Sequence, residues 1–94
     1  MYVFRNWQGQ KFTKTATAEM ANFYRLVTGY EAVYVEPLPN IPDDSQEFMA
    51  KHIKWVVENN GRIQSIKLVC KLSGWGLKRS KDWVELVDEH VSVL

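Results

Sequence analysis

The chain has 94 residues, of which 46% are apolar and 24% charged, and its net charge is +1. That length makes one domain able to bury about two-thirds of its unfolded surface, and the near-neutral charge argues against a generally basic nucleic-acid coat. A single cysteine excludes an internal disulfide, and no apolar run has signal-peptide or membrane-span length, so a reducing, cytoplasmic setting is expected.

Tyr2–Arg5 is a short aromatic and β-branched run that predicts an edge strand, followed by a turn at Gln8-Gly9. Trp7 and Phe12 read as core residues. Thr15 or Thr17 can cap the next helix, with Glu19 well placed in its first turn. Met20, Phe23, Tyr24 and Val27 recur at helical spacing, and Gly29 ends the element. Glu31–Glu36 alternates as a strand would and stops at Pro37; the segment 37–42 holds all three prolines and must be a loop.

Residues 43–60 support two readings. Asp43, Asp44 and Ser45 offer caps and Asn59-Asn60-Gly61 offers a stop, which predicts one helix over 44–59. Ile53, Trp55 and Val57 alternate within a β-branched, aromatic run, which predicts a short helix near 44–50 and a strand over 52–58. The second reading is preferred. At the far end, His90–Leu94 predicts a brief strand at a sheet edge.

The most specific stretch is 62–85, which predicts two helices joined by a tight turn at Gly74 and Gly76. Along the second helix, Leu77, Ser80, Trp83, Val84 and Val87 share one side. The first carries two apolar arcs, one of Leu68, Val69 and Leu72, the other of Ile63, Ile66 and Cys70 bordered by Arg62 and Lys67. Either both arcs are buried, or the second is an interaction surface. Charge is uneven here too. From Asn59 to Lys81 there are six cations and no acid, while 31–58 holds six acids and two lysines, a polarity that suits an acidic partner.

The run Ile63-x-x-Ile66-Lys67-x-Val69, then Ser73-Gly74-Trp75-Gly76-Leu77-Lys78 and Lys81-Asp82-x-Val84-Glu85, resembles the signature of the bacterial ribosomal stalk protein's C-terminal domain. The match covers about a quarter of the chain and joins glycine positions to charge positions. The resemblance implies a strand just before the signature and recruitment of translational GTPases by this helix pair. It assigns partner binding to Arg62, Ile63, Ile66, Lys67, Gly76, Leu77, Lys78 and Lys81. Cys70 stands where the family has arginine, Arg79 replaces an acid, and Trp75 replaces a smaller residue. Ala18–Gly29 and Glu31–Glu36 are similar to the family's last helix and strand, which implies a circular permutation. Strands 32–36 and 52–58 would then lie antiparallel side by side, and a continuous helix over 44–59 would exclude the idea.

Together these readings predict an α+β fold. A small antiparallel sheet of about three strands carries three helices on one face, in a single domain over 1–94. Its parts are a front helix and strand (1–36), a proline-rich connection (37–51), and a strand with the helix–turn–helix (52–94). The expected function is a non-enzymatic protein-binding module whose partner presents an acidic, apolar helix. A decoy or adaptor, a role small viral proteins take, suits a free-standing signature domain. Two alternatives stay open: a nucleic-acid binder using the basic 62–81 stretch with Trp75 and Trp83, and a peptide binder like the Clp protease adaptor, from the likeness of Pro42–Phe48 to its pocket loop. Neither His52 nor His90 has a partner at metal-ligand spacing, so no metal, cofactor or catalytic residue is expected.

Overall fold

The computed structural model describes residues 1–14 and 17–91. Strands β1 (Tyr2–Arg5), β2 (Lys11–Lys14) and β3 (Glu31–Tyr34) form an antiparallel sheet in the order β2-β1-β3. Helix α1 (Ala18–Thr28) lies between β2 and β3 in the chain. Helices α2 (Gln46–Asn60), α3 (Arg62–Ser73) and α4 (Leu77–His90) follow.

The β1–β2 hairpin is built by Asn6. Its side-chain oxygen accepts from the N–H groups of Gln8 and Gln10 at 3.0 and 2.9 Å, and Gly9 takes φ 81°. This hairpin makes β1 the central strand, not the expected edge. Val3 stands opposite Thr13 and Val33, and Phe4 opposite Phe12 and Ala32. Because successive side chains leave opposite faces of a strand, Val3 and Phe4 serve different layers. Val3 joins the main core with Val35, Leu38 and the three later helices. Phe4 faces α1, with the Tyr24 ring edge-on at 4.9 Å and Phe12 stacked at 5.7 Å. The sheet is therefore covered on both sides. Helices α2–α4 lie on one face and α1 covers the other, so there are four helices on two faces where three on one face were expected.

Helix α1 begins where Thr17 accepts from the Met20 N–H at 3.2 Å and ends at Gly29, in the left-handed conformation at φ 73°. Thr15, the other cap considered, lies outside the described residues. The apolar residues that recur along α1 do not all face inward. Tyr24 points to the sheet, but Met20, Phe23 and Val27 point to solvent, as does Trp7.

Residues 52–58 are a correction. Helix α2 runs unbroken from Gln46 to Asn60, so no strand precedes α3, and β3 pairs with β1. The physical reason lies in burial. Gln46, Ala50, Ile53 and Val56 face the core at helical spacing, whereas Trp55, which strand alternation would put beside Ile53 and Val57, is half exposed. Ion pairs one turn apart, Glu47–Lys51 at 3.1 Å and Lys54–Glu58 at 3.6 Å, add a few tenths of a kcal/mol each (about 0.3–0.5). The permutation required a strand there, and it falls with that strand.

No side chain caps α2. Asp43–Ser45 forms a single 3₁₀ turn instead, and Gln46 ties the proline loop down. Its amide oxygen accepts from the Leu38 N–H at 2.8 Å, and its nitrogen donates to the carbonyls of Leu38 and Ile41 at 2.9 and 2.8 Å.

Gly61, at φ 90° and ψ 162°, is the one residue between α2 and α3, a backbone conformation a side chain would strain. Gly74 closes α3 at φ 75°, donating to the Cys70 carbonyl at 2.9 Å. The three helices bury Ala50, Ile53, Val69, Val84 and Val87 completely. Helix α4 continues to His90, and Val91 is a buried extended residue after it. Residues 92–94 of the expected last strand lie outside the described residues.

Candidate functional site

Helices α3 and α4 form an antiparallel hairpin, and the Asp88 carboxylate fastens its open end to α2. Its two oxygens take Lys54 Nζ from α2 at 3.0 Å and the Arg62 guanidinium from α3 at 2.9 Å. The Lys54 hydrogen bond, first, and then the one from Arg62 hold this carboxyl below the usual aspartate range, against a partial burial that pushes it up. Since the folded value is the lower one, the stabilisation is present above about pH 4 and is lost as pH falls through the folded value. Asp88→Asn is therefore expected to cost about 1–2 kcal/mol at pH 7. In urea titrations the gap from the parent chain should narrow as pH falls below about 4. No motif marked Asp88 beforehand: it is one acid among several on α4.

The sequence-predicted docking residues separate into three groups. Ile63 and Leu77 are each 70% exposed, at opposite ends of the hairpin because they open the two antiparallel helices. Lys67 follows Ile63 by one turn, Lys81 follows Leu77 by one turn, and Lys78 sits beside Leu77; all three are exposed. Together with Lys71, these lysines make no ion pair among the described residues. Arg62 is exposed but committed to Asp88, with Glu85 at 3.9 Å.

Two residues of the expected surface turn inward. Ile66, 9% exposed, belongs to the main core, and Cys70 is half-buried against it. The cause is the orientation of α3. At about 100° per residue its buried side centres on Ser65, Val69 and Ile66, between the two apolar arcs, so each arc gives the core one edge. Leu68 and Cys70 form the flanks, and only Ile63 of the second arc stands clear. Gly76, at φ −66°, is exposed in the turn and adopts a conformation open to any residue.

The turn itself is held by aromatic chemistry. Arg79 lies over the Trp75 ring at 4.3 Å and pairs with Glu36, while the Trp83 indole donates to the Glu36 carbonyl at 2.8 Å. Trp83 is buried and not available to stack on a base. His52 is exposed on α2, its ring stacked between those of Phe48 and Trp55, and His90 is half-buried near Glu89. Among the described residues no cluster of three histidines, cysteines or acids could hold a metal ion. Among the described residues no helix is long and apolar enough to cross a membrane. No protein-family model, curated protein or solved structure matches this chain.

Proposed function

We propose that the chain is a protein-docking module whose α3–α4 hairpin receives an acidic, partly apolar helix of its partner. The supporting observation is the placing of two exposed apolar residues, Ile63 and Leu77, beside lysines 67, 78 and 81, which make no ion pair among the described residues. Two small apolar contacts, one toward each end of the hairpin and each with lysine beside it, give modest affinity, fast association and strong salt sensitivity. The likeness of 62–85 to the ribosomal stalk signature makes a translational GTPase the partner to try first, in a cytoplasmic setting. In that reading the module acts as an adaptor or a decoy.

Calorimetric titration with an elongation-factor GTPase tests this. The parent chain is expected to bind with a Kd on the order of 10 µM, and Lys67→Glu with Lys81→Glu to weaken it at least tenfold with the fold intact by circular dichroism. Binding unchanged in that variant would remove the surface; no binding by the parent chain would remove the GTPase. The same lysines favour a second reading as a nucleic-acid binder. That one requires an affinity for single strands that falls steeply with salt and falls less steeply after Lys78→Ala. The protease-adaptor alternative places the ligand at Pro42–Phe48 and makes the hairpin variants silent.

A further inference from the structure

Helix α1 is turned inside out relative to its composition. Its side toward the sheet carries Ala18, Ala21, Asn22 and Arg25, which with Tyr2 and Ala32 line an open cleft of about 350 Å³. Its large apolar residues face water: Met20 is 63% exposed, Phe23 70%, Leu26 76% and Val27 68%. At about 100° per residue these four span an arc of roughly 120°. An amphipathic helix ordinarily directs such a stripe at a core. Tyr24 fixes the rotation, its ring edge-on to Phe4 at 4.9 Å and to Tyr30 at 6.0 Å, so the stripe cannot roll inward without breaking that cluster.

We infer that this stripe is the interface with a second copy of the chain, formed by two α1 helices packed antiparallel across a two-fold axis near Phe23. Area is the first argument. The four side chains leave on the order of 500 Å² in water, about the largest apolar patch a monomer tolerates. Trp7, 81% exposed with its indole against Gly29 at the helix end, adds on the order of 200 Å². The sum approaches the ~800 Å² per partner of a standard interface.

Charge decides the occupant and the direction. Glu19 is the one charged residue on this arc, near its N-terminal end. In an antiparallel pair the two Glu19 side chains fall at opposite ends, about 13 Å apart along the axis, and the helix dipoles oppose. A parallel pair would set them face to face. Met20 then meets Val27 of the second copy, and the same patch serves both sides, as a two-fold interface requires. A lipid surface fits less well. Interfacial helices carry lysines and arginines on their polar face, whereas α1 has only Arg25 there, hydrogen-bonded to Asn22 at 3.0 Å. Because α1 and the α3–α4 hairpin lie on opposite sides of the sheet, pairing leaves two hairpins free.

Sedimentation equilibrium of the full chain tests the inference. The parent chain should sediment as a dimer with a dissociation constant on the order of 10 µM. Phe23→Asp and Phe23→Lys should each be monomeric with unchanged circular dichroism, since the Phe23 side chain is 70% exposed, and their equimolar mixture should recover the dimer. A parent chain still monomeric at roughly 500 µM overturns the inference, as does a Phe23→Asp dimer or a mixture that stays monomeric. Binding of phosphatidylserine vesicles by a parent chain that is monomeric in solution would give the stripe to lipid instead. The outcome is independent of the hairpin's partner, because the assay contains only this chain.

Discussion

Gln46→Leu is expected to lower the melting temperature by roughly 10–20 °C, the largest effect of any single polar substitution in the chain. The amide of Gln46 is buried and makes three hydrogen bonds, all to backbone groups of the proline loop. Leucine keeps the volume but leaves the Leu38 N–H and the carbonyls of Leu38 and Ile41 without partners. An abandoned buried polar group costs about 1–3 kcal/mol, and water can reach part of this site, so a total of about 3 kcal/mol is expected. That is a large share of the 5–15 kcal/mol typical of a domain this size. The loop also carries Leu38 and Val35 into the main core, so its release opens apolar packing as well. Gln46→Glu refines the test. A carboxylate would face two carbonyl oxygens with no proton to donate, so the folded state favours the protonated acid and its pKa rises. The folded protein then binds more protons than the unfolded one above about pH 4, and stability falls as pH rises, by up to 1.4 kcal/mol per unit. The glutamate variant should accordingly melt closer to the parent chain at about pH 4.5 than at pH 7. If both variants melt within about 2 °C of the parent chain at pH 7, Gln46 does not staple the loop.

The contrast between Gln46 and the rest of the chain shows what a sequence can carry. Helix ends were legible because their chemistry is local. Thr17 and Gly29 bound α1, and Gly74 ends α3, each through a hydrogen bond or dihedral set within a few residues. The α3–α4 hairpin was legible for the same reason. Residues 52–58 were not, because Ile53-Trp55-Val57 fits a strand and Gln46-Ala50-Ile53-Val57 fits a helix equally well. Burial against the other helices decides between them, a long-range effect absent from any local window. Strand β2, Lys-Phe-Thr-Lys, holds one large apolar residue and owes its pairing to the Asn6 turn and to β1. The stripe on α1 was visible as a period, but a period does not say which side faces water. Gln46 gave no signal at all: a glutamine opening a helix is ordinary, and its three partners are defined only once the loop folds back.

Helix α3 poses that ambiguity at the docking surface, and two isoleucines one turn apart resolve it. Ile66→Ala is expected to destabilise the chain by about 2–4 kcal/mol, because its side chain is packed in the main core and alanine leaves a cavity there. Ile63→Ala, on a side chain 70% in water, should shift stability by no more than about 0.5 kcal/mol. Urea titrations separate the two, since the midpoint should drop for Ile66→Ala with an unchanged slope and stay in place for Ile63→Ala. Partner binding should divide the opposite way. An exposed isoleucine beside Lys67 is a direct apolar contact for an incoming helix, so its loss weakens binding by a factor of about 10 without unfolding anything. Ile66→Ala should bind normally once temperature or a stabilising osmolyte keeps it folded, because its methyl groups never reach the partner. The opposite pattern, a stable Ile66→Ala that fails to bind, would mean that α3 is rotated by about 60° from the orientation described, with the Ile63, Ile66 and Cys70 arc facing outward. That rotation would turn Leu68 and Leu72 inward, leave Val69 at the edge of the core and swing Arg62 away from Asp88. A normal midpoint for Ile66→Ala and an unaltered response to Asp88→Asn would have to appear together, which makes the pair of measurements decisive for the helix on which the proposed docking surface stands.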